Sequence, residues 1–277
     1  MIDRRSLYSF CILLLAFLYT ACDENGEIPP DREIYVWSHN DYEQSRPLFQ
    51  ALDFGYQMIE ADLHLIDGQL VVTHDSPEDP DQTPLFEELY LKPLAEIIEQ
   101  NGGVVLPDSE LSFYLVIDVK TGAENTFEAI LKVIEPYHEL FTRKADGAWI
   151  EGPIHLLISG NRPELTADSP DRIAFLDGRI PDIGQGLSSD LYPVISDNWN
   201  NHFDWNGTGQ MSADEYNRLT SYVKDVHAED KRIRFWATPD RESVWEVLLD
   251  AGVDIINVDD HRGLREFLDQ HEMPMKM

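Results

Sequence analysis

Two short segments place carboxylate side chains on alternate positions of predicted strands. Met-Ile-Glu-Ala-Asp-Leu contains Glu60 and Asp62, and Phe-Tyr-Leu-Val-Ile-Asp-Val-Lys contains Asp118 and Lys120. Because successive side chains of a strand point to opposite faces, Glu60 and Asp62 share one face, about 7 Å apart. The same alternation puts Asp118 and Lys120 together, opposite the apolar odd-numbered positions. Each segment therefore aims its charged groups at one side of its strand.

If the two strands are neighbours, the carboxylates of Glu60, Asp62 and Asp118 meet at one point. A buried cluster of negative charge is costly unless a cation neutralises it. Carboxylate oxygens are hard ligands, which suit Mg²⁺ or Ca²⁺ better than Zn²⁺. We therefore predict one divalent metal, Mg²⁺ or Ca²⁺, held by these three residues. Lys120 can either pair with Asp118 or contact a substrate phosphate, and we favour the phosphate.

Two histidines follow predicted strands near these carboxylates. His39 ends the first predicted strand, and His74 ends the second strand of a predicted hairpin at 63–74 that turns on Asp67 and Gly68. Histidine exchanges protons near neutral pH, so one on each side of a phosphorus atom can serve as acid and base. The other seven match no such pattern, and we predict surface or hydrogen-bonded structural positions for His64, His138, His155, His202, His227, His261 and His271.

Eight short apolar runs rich in β-forming residues alternate with helical stretches. The runs are 34–38, 57–63, 113–119, 154–159, 172–175, 193–196, 233–238 and 254–258, and the helices are 45–54, 85–100, 124–136, 212–228, 240–251 and 262–269. This pattern predicts an α/β fold, a (β/α)₈ TIM barrel. A doubly wound open sheet is the alternative, but no glycine-rich phosphate loop follows the first run.

Some predicted connections carry clear helix start signals, whereas others contain residues that disfavour helices. Ser212 and Asp240 stand where N-caps are expected for two of the helices. Residues 160–171 and 177–192 contain too much Pro, Gly and Asp for good helices, so we predict irregular fourth to sixth connections.

The first residues indicate export. Arg4 and Arg5 precede an apolar run at 10–21, which has the length of a signal-peptide core. The small residues before Cys22 resemble the lipobox of bacterial lipoproteins, although Tyr19 stands where leucine is usual. We predict a signal peptide over 1–21, a lipidated Cys22 with a flexible tether over 22–33, and one enzyme domain over 34–277. An ordinary cleaved signal peptide or an anchor helix is the alternative.

This interpretation implies a location and a set of partners. Lipidation would anchor the protein to a bacterial cell envelope, at the outer membrane or cell surface, and we expect a monomer. The formal net charge of −31 argues against nucleic acid as a partner, because a phosphate-binding surface needs Lys and Arg. The same charge would repel an anionic substrate, and a bound metal is the simplest local remedy.

The ordered motifs resemble a known family. His39-Asn40-Asp41, Glu60-x-Asp62, His74-Asp75 and Asp118-x-Lys120 are similar to motifs of the glycerophosphodiester phosphodiesterases and of the wider phosphatidylinositol-phospholipase-C-like barrels. The segments around Trp236 and 252–259 also match late strands of that family. The resemblance runs through most of 34–268. It implies a metal bound by Glu60, Asp62 and Asp118, with His39 and His74 as catalytic residues.

Two motifs depart from the usual family pattern. His-Asn-Asp replaces His-Arg-Gly, so an arginine that assists phosphate binding is missing, and Asp118 stands where glutamate is usual. The His-Asn-Asp-Tyr start, with Pro47 and Leu48 soon after, looks more like a divergent branch that includes fungal proteins named for altered mitochondrial inheritance. These departures affect the identity of the substrate headgroup more than the type of reaction.

The resulting hypothesis is a metal-dependent phosphoric diester hydrolase acting on a glycerophosphodiester or a related lipid-headgroup phosphodiester. His39 would be the base and His74 the acid, Asn40 and Lys120 would hold phosphate oxygens, and Trp236 would wall the pocket. Two rivals remain: a non-catalytic surface lipoprotein that binds a sugar or phospholipid headgroup, and a glycoside hydrolase with paired carboxylates. The latter gives no role to the histidines and Lys120.

Overall fold

The computed structural model describes residues 33–271. The strands in that part of the chain are β1 (Tyr35–Ser38), β2 (Met58–Ile66), β3 (Gln69–Val72), β4 (Tyr114–Val119), β5 (Arg143–Ala145), β6 (Ala148–Ile150), β7 (His155–Gly160), β8 (Ala174–Gly178), β9 (Val194–Asn198), β10 (Arg232–Trp236) and β11 (Ile255–Val258). The α-helices are α1 (Phe49–Asp53), α2 (Lys92–Gln100), α3 (Ala123–Ile134), α4 (Ala213–His227), α5 (Glu242–Ala251) and α6 (His261–Gln270). A π-helical segment, Glu87–Leu91, leads into α2, and 3₁₀ turns lie at Asp41–Glu43, Pro80–Gln82, Glu135–Leu140, Ile180–Asp182 and Trp199–Asn201.

Eight parallel strands close into a barrel. The order is β1, β2, β4, β7, β8, β9, β10 and β11, and β11 pairs back to β1 with Tyr35 opposite Ile255. Two further pairings are antiparallel: β3 folds back on β2, and β5 and β6 form a separate hairpin. The (β/α)₈ barrel predicted from the sequence is therefore confirmed.

Side chains of the barrel strands alternate between two apolar cores, one between the strands and the helices and one inside the barrel. In β4, Leu115 and Ile117 belong to the outer core that packs against the helices, whereas Val116 belongs to the cluster inside the barrel. Toward the carboxyl ends of the strands, the inward positions become polar: Glu60, Asp62, Asp118, Ser159, Asp177, Ser196, Arg234 and Asn257. This end is where TIM barrels carry their functional residues.

The connections follow the sequence signals in most places. The β2–β3 hairpin turns on Asp67 and Gly68, both at positive φ, and Ser212 caps α4 by accepting from the Glu215 backbone N–H. No α-helix lies between β7 and β8 or between β8 and β9, as expected, whereas the sixth connection contains the 15-residue α4.

The assignment of Asp240 as an N-cap is wrong, because Arg241 holds that position. The Asp240 carboxylate instead accepts from the backbone N–H groups of Asp259 and Asp260, at 2.9 and 2.7 Å.

The predicted signal peptide and Cys22 lie outside the described residues. Between residues 33 and 271, no helix is both long enough and apolar enough to cross a membrane.

Candidate active site

Three carboxylates meet at the carboxyl ends of β2 and β4. Asp62 stands directly opposite Asp118 in the parallel ladder, and Glu60 lies two residues earlier on the same face of β2. One oxygen of each of these three residues lies within 4.8 Å of the others. Glu60 and Asp62 are buried and Asp118 is partly exposed. The cluster predicted from strand alternation is therefore present in the fold.

Asp62 is the centre of this cluster, and its two oxygens differ. Oδ2 accepts from the Tyr42 hydroxyl at 3.0 Å and lies 2.8 Å from both His74 Nδ1 and Lys120 Nζ. Oδ1 is buried and has no hydrogen-bond partner in the described part of the chain. A buried carboxylate oxygen without a partner is costly. An orphaned acceptor beside two other carboxylates fits a cation site.

Lys120 bridges two of the carboxylates, at 2.8 Å from Asp62 and 3.0 Å from Asp118 Oδ2. Burial lowers the pKa of Lys120, but the negative charges of Asp118 and Asp62 outweigh that effect, so the pKa is raised and the ammonium stays charged. Of the two roles left open for Lys120, the ion pair with Asp118 is thus present. Contact with a substrate phosphate remains a prediction.

Glu60 is held by two buried side chains from other strands. Trp37 Nε1 donates to Glu60 Oε2 at 2.6 Å, and Arg234 Nη2 lies 3.4 Å from the same oxygen. Arg234 is only 3% exposed, and burial lowers the pKa of its guanidinium, although the charges of Glu60 and Asp177 oppose that change. Arginine remains protonated in proteins, so a permanent positive charge lies beneath the cluster.

His39 directly follows β1 and is oriented by the far end of the chain. Its Nδ1 lies 2.8 Å from Asp259 Oδ1, and 25% of its side chain is exposed. Burial lowers the pKa of the ring, but the hydrogen bond to Asp259 and the charge of Glu60 outweigh it, so the pKa of His39 is raised. Because Asp259 accepts from Nδ1–H, the Nε2 atom is left to exchange a proton.

His74 reaches the cluster from outside the barrel. It follows β3, and its Nδ1 atom contacts Asp62 Oδ2 while 53% of the side chain remains exposed. The backbone carbonyl of His74 is 3.2 Å from His64 Nε2, which gives His64 the structural role expected of it. Asp62 therefore touches both the predicted metal position and one of the two predicted catalytic histidines.

The loop that carries His39 and Asn40 is fixed by a buried polar network. The Ser38 hydroxyl donates to Asp41 Oδ1 at 2.8 Å and lies 2.9 Å from His261 Nε2. Asp41 Oδ2 also accepts from the backbone N–H of Leu48 at 2.5 Å. Burial raises the pKa of Asp41 and lowers the pKa of His261 to about 4. His261 is thus a neutral structural histidine, as the sequence predicted.

The opposite wall of the mouth carries an aromatic and cationic pair. The Arg179 guanidinium stands 5.0 Å from the centre of the Trp236 ring and donates to Asp177 Oδ2 at 2.9 Å. Trp236 is partly exposed, as a pocket wall would be. Asn40 lies at the start of the His39 loop in the left-handed region, with φ 45°. Neither Trp236 nor Asn40 has a hydrogen bond to the carboxylate cluster in the described chain.

Comparison with known proteins identifies the family. The model of the AIM6-like phosphodiesterase domain matches residues 28–177, more than half of the 277 residues. The chain belongs to that family. Similar proteins include altered inheritance of mitochondria protein 6 of Eremothecium gossypii, 27% identical over 84% of this chain and 69% of that one. The Arthroderma benhamiae homolog is 27% identical over 82% of this chain and 81% of its own.

Two solved structures share the fold of this AIM6-like domain. A glycerophosphodiester phosphodiesterase from Parabacteroides distasonis aligns with TM-score 0.53 and 14% identity, over 86% of this chain and 98% of that chain. The phosphatidylinositol-specific phospholipase C of Listeria monocytogenes aligns with TM-score 0.50 and 12% identity, over 88% and 96%. At such identities the likeness supports the barrel alone.

The fungal relatives correct the predicted location. They point to a eukaryotic protein, so the assignment to a bacterial cell envelope through a lipidated Cys22 is wrong. An apolar run followed by small residues and a cysteine is a pattern of composition, and it does not identify the organism. The domain boundary at residue 34 and the monomeric state stay predictions.

Several residues of this AIM6-like site were missed by the sequence reasoning. Ile233 and Phe235 belong to the outer core, so alternation along β10 alone would have turned Arg234 inward. Asp177 carries the same signal, because Leu176 before it belongs to the outer core. Gly160 gave no signal: it follows Ser159 with φ +65°, and an added Cβ would overlap Asp118 Oδ1.

Proposed function

We propose that this AIM6-like domain is a metal-dependent phosphoric diester hydrolase that uses His39 and His74 as base and acid. The substrate would be a glycerophosphodiester or a related lipid-headgroup phosphodiester. One observation carries the proposal: the unpartnered, buried Asp62 Oδ1 lies beside two further carboxylates. His74 contacts Asp62 of this cluster, and Asp259 holds His39 at the end of β1, the strand that pairs with β2. The matched family is described as a phosphodiesterase, which supports the class of reaction.

Glu60, Asp62 and Asp118 would hold one divalent cation. When bound, such a cation polarises a phosphate oxygen and offsets the charge that develops in the transition state. Two of the three carboxylate charges are already offset by Lys120 and Arg234. A divalent cation would therefore leave one net positive charge, which a phosphodiester monoanion balances.

The two histidines differ in how they are held. His39 accepts a proton from water or from a substrate hydroxyl at Nε2, while Asp259 fixes the ring through Nδ1 and stabilises the imidazolium that forms. His74, whose Nδ1 contacts Asp62, donates a proton to the departing alkoxide. Lys120 and Asn40 contact phosphate oxygens, and Trp236 forms the wall against the alcohol. Carboxylate partners on both rings keep each in one orientation.

The test is metal-dependent turnover by the purified protein. We expect hydrolysis of bis(p-nitrophenyl) phosphate and of a glycerophosphodiester, lost on chelation and restored by Mg²⁺ or Ca²⁺. Asp62→Asn should lose it, because the amide keeps the shape but offers no anionic oxygen. Asp254→Asn is the matched control, since Asp254 pairs with His227, away from the carboxylate cluster. A wild-type protein that binds metal and phosphodiester without turnover would contradict the proposal and indicate a binding protein.

A further inference from the structure

Glu60 is held through one of its two carboxylate oxygens only. Trp37 and Arg234 both contact Oε2, and within residues 33–271 no hydrogen bond reaches Oε1. All three side chains are buried, with exposures between 0 and 3%. Their contacts are therefore not exchanged with solvent, and Oε1 is the oxygen left for another ligand.

The Arg234 guanidinium is itself fixed from two sides. It stacks 3.6 Å from the centre of the Trp37 ring, and it donates to Asn257 Oδ1 from Nε at 3.0 Å and from Nη2 at 2.5 Å. Stacking and a two-point hydrogen bond define both the plane and the direction of an arginine. Rotation of Glu60 that brought Oε2 toward the cluster would break both of its contacts and leave Arg234 without its carboxylate.

Asp62 shows the same arrangement. Three donors saturate Oδ2, and Oδ1 alone remains. Two buried carboxylates therefore each present a single oxygen to the cluster. Mg²⁺ is small and takes six ligands at octahedral positions, commonly single carboxylate oxygens together with water. Ca²⁺ is larger, takes six to eight oxygens, and often binds both oxygens of one carboxylate.

We propose that Trp37 and Arg234 are positioning residues that fix Glu60 as a one-oxygen ligand and thereby set this site for Mg²⁺ over Ca²⁺. The inference rests on the proposed metal-dependent function, and it adds which ion the site selects and which residues impose the selection. If the ion pair between Arg234 and Glu60 were merely structural, breaking it would reduce the affinities for Mg²⁺ and Ca²⁺ to the same degree.

The experiment measures the dissociation constants of Mg²⁺ and Ca²⁺ by calorimetry on the metal-free protein. Trp37→Phe removes the indole N–H donor. Arg234→Lys keeps the positive charge but loses the planar guanidinium that donates from two nitrogens. Asn257→Ala removes the acceptor that orients Arg234 without removing a charge. Arg232→Lys is the matched control: it lies two residues away on the same strand and stacks 4.6 Å from the Tyr35 ring, but it pairs with Glu33.

We expect the wild type to bind Mg²⁺ more tightly than Ca²⁺. In Trp37→Phe and Arg234→Lys, the ratio of the two constants should shift toward Ca²⁺ by about tenfold, the usual scale for residues that support metal ligands. Asn257→Ala should shift it in the same direction, and it decides the outcome if the first two variants do not fold. Arg232→Lys should leave the ratio unchanged.

Two results overturn the inference, and they are distinguishable. A wild type that binds neither ion removes the metal site and the proposed function together. A wild type that binds metal, with folded variants whose ratio stays within about twofold of its own, removes the role of Trp37 and Arg234 alone and leaves the proposed function standing.

Discussion

Gly160 lies against Asp118 so closely that a methyl group on its α-carbon would overlap the Oδ1 atom of that carboxylate. The glycine also has φ +65°, a conformation that side-chain-bearing residues rarely adopt. Asp118 on β4 therefore occupies space that a side chain at Gly160 on the neighbouring strand β7 would fill. The geometry of one predicted metal ligand depends on the absence of a side chain on the next strand.

Gly160→Ala should therefore displace the Asp118 carboxylate and weaken metal binding. Gly147→Ala is the matched control, because Gly147 has φ +80° and nothing within 4 Å of an added Cβ. Both variants pay a backbone cost of about 1–2 kcal/mol in the free energy of unfolding. Only Gly160→Ala should also lose the rise in melting temperature that Mg²⁺ gives the wild type. Equal metal responses in the two variants would contradict this role for Gly160.

Metal binding should stabilise the folded protein through Asp62. Mg²⁺ or Ca²⁺ at a hundred times its dissociation constant should raise the free energy of unfolding by about 2.7 kcal/mol, since the unfolded chain lacks the site. Asp62→Asn should abolish this rise. Asp254→Asn should keep it. Thermal unfolding with and without metal measures both, and a rise that survives in Asp62→Asn would place the metal elsewhere.

The two histidines should respond differently to the leaving group. His74→Ala should lose about 10²–10⁴-fold in rate with a poor alcohol leaving group, the usual contribution of a positioned proton donor. It should lose much less with p-nitrophenol, which departs without a proton. His39→Ala should be impaired equally with both substrates. The reverse pattern would exchange the two assignments, and full activity of either variant would contradict the mechanism.

Asp259 should set the pH at which activity appears. The hydrogen bond from His39 raises the pKa of the ring, and a base must be neutral, so the rate should rise with pH through a value above 6.5. Asp259→Asn removes the negative charge and lowers that pKa, so the acidic limb should move to lower pH. The pH profile of kcat/KM in both proteins measures the shift. An unmoved limb would mean that another group controls it.

His261 should make the fold sensitive to acid. Its pKa is lowered to about 4 by burial, whereas in the unfolded chain it is 6.5, so the unfolded state binds the proton first as the pH falls. The contribution of neutral His261 to the free energy of unfolding is fully present above pH 6.5 and is lost as the pH falls toward 4. Between pH 6.5 and about pH 5 the loss should be about 2 kcal/mol.

Urea unfolding at several pH values measures this loss. His261→Asn should flatten the pH dependence, although it lowers stability overall, because asparagine does not titrate in this range. His138→Asn is the control, since His138 is exposed and its ring Nδ1 lies 2.9 Å from the Glu135 carbonyl oxygen, in contact with solvent. A dependence that is unchanged in His261→Asn would assign the acid sensitivity to other groups.

The sequence predicted those parts of the site that follow from the period of a strand. Glu60, Asp62, Asp118 and Lys120 were placed on one face by alternation, and the barrel brings them together. Asp259 carries no comparable local pattern, because its contact with His39 spans 220 residues and is created only by closure of β11 on β1. Local periodicity does not specify which distant strands become neighbours.

The wrong N-cap at Asp240 has a similar cause. A carboxylate just before a helix is typical of an N-cap, but the backbone N–H groups of Asp259 and Asp260 approach Asp240 from another loop. Asp240 Oδ2 accepts from these two N–H groups and not from the first turn of α5, as the local pattern had predicted. Ser212 has no such competitor and caps α4 as predicted.

The contact between Ser38 and His261, 223 residues apart in the chain, has a consequence for folding. The strands that carry the acidic cluster are synthesised early, but the contacts of Asp259 with His39 and of His261 with Ser38 can form only after β11 and α6 are made. Loop closure over such a separation is slow compared with local pairing. During synthesis the chain should therefore hold its carboxylates near one another well before His39 takes its place, and a ribosome-bound chain that ends before residue 259 should be inactive.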